Sequence, residues 1–103
     1  MNAQYINGLA TNTVTFIVQA LLNWPDELPL DMTFAETDEK GLGCDELDCV
    51  EIMMAIEYAM NITIDDSLFL DVDKKGNQIV KKSLSLQVVI DYCKERITEC
   101  LNS

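Results

Sequence analysis

Four cysteines, a large excess of carboxylates and no histidine set the chemistry open to this 103-residue sequence. Without an imidazole, no side chain changes charge by default between pH 5 and 8, and general acid–base catalysis lacks its usual group. The cysteines fall as Cys44-x4-Cys49 and Cys93-x6-Cys100, which is not the spacing of a zinc site. Cys49 and Cys93 belong to apolar stripes, so buried thiols are expected. Asp71, Asp73 and Gly76 have the spacing of a calcium loop, but Lys75 and Lys82 stand where that loop needs an oxygen ligand and a bidentate carboxylate. No catalytic residue, metal ligand or enzymatic activity is therefore expected.

The elements that hold these residues follow from periodicity. From Gln4 to Leu22, Ile6, Leu9, Ala10, Val14, Ile17, Val18, Leu21 and Leu22 keep close to helical spacing, and Pro25 stops the pattern. The segment TNTVTF within it has weak helix propensity, so packing must hold this helix. Residues 25–43 have no period of either kind and read as a long acidic loop anchored by Phe34 and Leu42. A second helix starts at Asp45, a favoured N-cap, with acidic residues in its first turns and Asn61 as its stop. ITIDDSLFL reads as a strand-like or short helical link. A Lys-Gly-Asn turn then marks a small β-hairpin within 69–82. Ser83 or Ser85 caps a final helix whose apolar stripe is Leu86, Val89, Ile90, Cys93, Ile97, Cys100 and Leu101. The expected fold is all-α: a single small domain over 1–103, three longer helices and a short one.

Composition limits the partners. Eighteen acidic against seven basic side chains give a net charge of −11, which favours solubility, a monomer and cationic partners. Nucleic acid is disfavoured, since a phosphate backbone needs a basic surface and four of the seven cations sit in one hairpin cluster, Lys74, Lys75, Lys81 and Lys82. No apolar run approaches the ~20 residues of a membrane span. The first residues lack a basic secretory n-region, so a cytoplasmic location with reduced thiols is expected.

The second helix has two unlike faces. Cys49, Ile52, Met53, Ile56, Ala59 and Met60 project to one side as core. Leu47, Val50, Glu51, Met54, Glu57 and Tyr58 project to the other, where apolar and acidic side chains mix. In so small a domain few elements are available to cover that second face. It is therefore a candidate docking surface for a protein whose contact patch is apolar at the centre and basic at the rim, with Asp45 and Glu46 at its edge.

GLGCDELDCVEIMMAIEYAMNITIDD resembles the core of acyl carrier proteins, in which a Leu-Gly-x-Asp-Ser-Leu-Asp/Glu turn leads into a Val-Glu-rich helix. Leu42, Gly43, Asp45, Leu47, Asp48, Val50 and Glu51 match that pattern in register, and SLSLQVVIDYCKERI is similar to the family's last helix. The resemblance covers roughly 34–70 and 83–97 and implies a four-helix bundle. The chain departs from the pattern with extra residues around Thr37 to Lys40, with the VDKKGNQIVKK insert, and with Glu46. In the family, a serine at the position of Glu46 carries 4′-phosphopantetheine through a phosphodiester, and a carboxylate does not take that linkage. The resemblance thus implies a docking module with no cofactor, and fold does not carry activity with it. Asp66-Ser67-Leu68 repeats part of the signature, yet no Leu-Gly precedes Ser67 and no Val-Glu helix follows it, so Ser67 is a weak alternative attachment site. Two other readings remain: a genuine fatty acid or polyketide carrier, modified elsewhere or in a form with serine in place of Glu46, and a small acidic inhibitor or immunity-type protein.

Overall fold

The computed structural model describes residues 3–35 and 41–102, so the expected extra residues around Thr37 to Lys40 lie outside the described residues. Its elements, in chain order, are α1 (Ala3–Leu22), α2 (Glu46–Met60), a single 3-10 turn (Asp66–Leu68), β1 (Leu70–Val72), β2 (Gln78–Val80) and α3 (Leu86–Asn102). The protein is thus mostly helical with a small two-stranded sheet, compatible with an acyl-carrier-like fold. The short fourth element is only the three-residue 3-10 turn.

Helix α1 packs against both α2 and α3. It buries Ile6, Ala10, Val14, Ile17 and Val18, while Leu9 and Leu21, expected on the same stripe, are exposed. Leu9 lies to the side of the buried stripe, whereas Leu21 shares its phase and is exposed in the last turn of the helix. The helix ends before Pro25: Asn23 turns left-handed at φ 53° and the Trp24 N–H donates to the Gln19 carbonyl at 2.9 Å. This is the 6→1 bond of a helix C-terminus.

The long loop is stitched to its neighbours by backbone bonds. Phe34 N–H donates to Leu84 O at 3.0 Å, Leu42 N–H to Thr33 O at 2.8 Å and Cys44 N–H to Phe34 O at 2.7 Å. The Met32 and Leu30 carbonyls accept from Leu86 and Gln87, two of the N–H groups that the start of α3 cannot satisfy within itself. Of the two candidate caps of α3, Ser85 is the one engaged, accepting from Val88 N–H at 3.3 Å. Leu86, Val89, Ile90, Cys93 and Ile97 are buried as expected, but Cys100 and Leu101 are exposed, because α3 outruns the elements it packs on.

Phe34 is the deep anchor of the loop, and Leu42 is partly buried beside the core. The Phe34 ring meets Phe69 edge-on, with centroids 5.2 Å apart. The hairpin pairs Leu70 with Val80, Asp71 with Ile79 and Val72 with Gln78. Asp73 shapes its tip by accepting from Lys75 and Asn77 N–H, and Gly76 supplies the φ of 85° that a side chain resists. The carboxylate of Asp73 thus serves a turn, and among the described residues no cluster of three or more potential metal ligands exists.

Candidate functional site

The start of α2 is held from both sides. Asp45 is the N-cap: its Oδ1 accepts from Asp48 N–H at 2.8 Å, and Asp48 Oδ2 accepts from Asp45 N–H at 3.1 Å. Two otherwise orphaned donors are satisfied reciprocally, which is a capping box with Asp in the place usually filled by Glu or Gln. Cys44 and Cys49 flank the box at the positions where an apolar pair commonly pins the entering chain, and both are buried free thiols. Contact with Cys44, then burial, then the negative charges of Asp48 and Asp45 push the Cys49 thiol far up, so it stays protonated. The Cys44/Cys49 spacing therefore has a structural role that the sequence reading missed; Asp at 45 and 48 with small apolar residues at 44 and 49 was its signal.

Gly43, at φ 65°, turns the chain into this cap, and the bonds from Leu42 and Cys44 tie the turn to Thr33 and Phe34. Glu46 and Leu47 follow, exposed on the first turn of the helix. Cys49, Ile52, Met53 and Ile56 are buried. Met60 is partly buried, but Ala59, expected in the core, is exposed at the edge of the buried stripe, while Ile62 and Ile64 beyond it are buried again.

The opposite face is open along its length. Leu47 exposes 65% of its surface, Met54 63% and Tyr58 92%, with Val50 exposed between them and Glu46 and Glu51 alongside. Glu57 is only half exposed: its Oε2 accepts from Ile64 N–H at 2.9 Å, and its carbonyl accepts from Asn61 and Ile62 N–H. Of the residues expected to bind a partner, Asp45 and Glu57 thus hold backbone, while Glu46, Leu47, Val50, Glu51, Met54 and Tyr58 present side chains to solvent. Asn61, left-handed at φ 55°, closes the helix.

Ser67 lies apart from this arrangement, on the 3-10 turn. Its N–H and Oγ–H both donate to Asp65 Oδ1, at 3.0 and 2.9 Å. Those two bonds, with a smaller part from Lys81, hold the Asp65 carboxyl below its ordinary range. The Tyr92 hydroxyl bridges α3 to the same link, accepting from Asp65 N–H and donating to Thr63 O.

The site is thus a capped helix in a mostly helical protein, with an acidic and apolar outer face. The chain is 41% identical over 59 residues, 57% of its length, to "Acyl carrier protein 1, chloroplastic" of Hordeum vulgare. The match spans 38% of that protein, well under two thirds of its length, and supports an acyl-carrier-like relationship. No family model and no solved structure matches the chain.

Proposed function

We propose that the chain is a non-catalytic, acyl-carrier-like interaction module that docks through the outer face of α2. The observation that carries this reading is the open line Leu47, Met54 and Tyr58, set among Glu46 and Glu51 on a helix whose start is fixed by cap and loop. Such a face suits a protein with a basic rim and an apolar centre, and loses affinity as salt screens the rim. Glu46 stands where the resemblance places the attachment serine. Its carboxylate offers no hydroxyl for a phosphodiester, and at the first helical position it interacts favourably with the helix dipole. Cofactor chemistry is accordingly no part of the proposal.

The second reading, a genuine acyl carrier, draws support from the similarity to a chloroplastic carrier. Intact mass after co-expression with a phosphopantetheinyl transferase separates the two. The chain as it stands keeps its mass, and Glu46→Ser gains about 340 Da at that residue. An added arm on the unchanged chain, at Ser67 or elsewhere, ends the module reading. An unmodified Glu46→Ser variant removes the correspondence between Glu46 and the attachment position. The face itself is tested by comparing partner capture by the chain with capture by folded Met54→Glu and Val50→Glu variants, which should lose most of it; undiminished capture places the docking surface elsewhere.

A further inference from the structure

The free charge on the outer face of α2 is confined to its first two turns. Glu46 and Glu51 are exposed there, while Asp48 is folded into the cap. Beyond Glu51 the only acid of the helix is Glu57, which is half-buried and whose Oε2 accepts from Ile64 N–H at 2.9 Å. The elements packed most closely on α2 add no charge, since α1 has no acidic or basic residue and β2 is Gln78–Val80. The last two turns therefore present Met54, Tyr58 and Ala59 to water with no free carboxylate among them.

Tyr58 stands out in that half. It exposes 92% of its surface, the most of any large hydrophobic side chain among the described residues, and none of them gives it a hydrogen bond or a ring contact. The backbone beneath it is fixed, because Asn61 closes the helix and the Glu57 carbonyl accepts from both Asn61 and Ile62 N–H. A tyrosine has a large ring to bury and only two side-chain torsions to freeze, so binding energy concentrates on such residues. Its hydroxyl needs a new partner once water is removed. Seven residues of helix separate Tyr58 from Glu51, about 10 Å along the axis. That exceeds the screening length of about 8 Å at physiological salt, so a cation placed to meet Glu51 contributes little at the ring.

We propose that Tyr58 anchors the docking face: the partner protein takes its ring into an apolar pocket with an oxygen acceptor at the floor, and keeps its cations to the side that meets Glu46 and Glu51. The proposal rests on the reading that α2 docks a protein. It narrows that partner from one with a basic rim all round to one that is basic at a single end of the contact. Steering and holding are then carried by different residues. Glu46 and Glu51 set how fast, and how salt-dependently, the partner arrives, and Tyr58 sets how long it stays.

The test uses the full chain and the protein that it captures and that folded Met54→Glu does not, purified and followed by surface plasmon resonance over a range of sodium chloride concentrations. Tyr58→Ala, checked for unchanged helix content, should raise the dissociation rate at least about 10-fold and leave the association rate and its salt dependence as they are. Tyr58→Phe keeps the ring and loses the hydroxyl, and should raise the dissociation rate several-fold. Glu51→Gln should slow association and flatten its salt dependence, with dissociation nearly unchanged. A smaller rise for Tyr58→Ala, or a salt dependence flattened by it as by Glu51→Gln, overturns the anchor while docking by α2 stands, because Met54→Glu still fails to bind. Tyr58→Phe that dissociates as the parent does overturns the acceptor at the pocket floor. Capture undiminished by Met54→Glu instead ends the docking reading itself.

Discussion

At the scale of single residues, the start of α2 concentrates several small effects on a few side chains. Asp45 satisfies a donor that has no partner within the helix and receives one bond back from Asp48. Replacing it with Ala should cost about 1 kcal/mol, the usual worth of an N-cap, and Asp45→Asn much less, since Asn caps as well. Urea unfolding of the two variants checks this; equal losses would mean that charge rather than capping geometry matters. The thiols give a second expectation. Cys44, Cys49 and Cys93 are buried, and burial alone pushes the Cys93 thiol up to about 11, whereas Cys100 is exposed. Brief alkylation of the native chain near neutral pH should therefore label Cys100 first, and all four cysteines only after unfolding. Mass spectrometry after digestion reads the order, and early labelling of Cys93 would contradict its burial. Asp65 contributes with a definite sign: its folded-state carboxyl is held below the ordinary value, so its contribution is present above that ordinary value and is lost as pH falls through the lowered one.

The elements show what the sequence made legible and why the rest was hidden. Helix α2 could be read almost to its ends because Asp45 and Asn61 are local signals, and the cap geometry uses both. The hairpin was readable from Lys75, Gly76 and Asn77, since a turn's chemistry is carried by adjacent residues. Less visible was the reach of the core. Periodicity says which side of a helix is apolar but not where its neighbours stop, so Cys100 and Leu101 had the right phase and are exposed all the same. The link after α2 was ambiguous because side chains distant in sequence decide it: the Glu57 carboxylate takes Ile64 N–H, and Tyr92 takes Asp65 N–H. The bonds that make the long loop a connector of α2 and α3 run between backbones and leave no compositional trace. Two substitutions probe these elements. Gly76→Ala places a side chain at φ 85° with open space around its Cβ, so the cost is conformational, about 1–2 kcal/mol, and should fall on the hairpin. Phe34→Ala removes a fully buried ring that contacts Phe69, and should cost about 3–5 kcal/mol in chemical denaturation. A loss of under about 1 kcal/mol would mean that the loop is not held by that ring.

For the whole molecule, the charge balance opposes compactness. Eighteen acidic and seven basic side chains share one small domain, and the described ion pairs, Lys94 with Asp91 at 3.5 Å and Arg96 with Glu99 at 3.0 Å, each join a half-buried cation to an exposed carboxylate three residues away along α3. Pairs of that kind contribute about 0.2–0.5 kcal/mol each, and salt weakens them. Repulsion among the surplus carboxylates is spread over many longer separations, and it is weakened more: the screening length falls from about 30 Å at 0.01 M salt to about 3 Å at 1 M. The two effects have opposite signs, and the excess of acid decides between them. Added sodium chloride should therefore raise the urea midpoint of the chain at neutral pH, with little change in the slope of the transition, because the surface exposed on unfolding stays the same. A midpoint that falls with salt would mean that attractive pairs outweigh the surplus charge, and the account of a domain working against its own acidity would then be wrong.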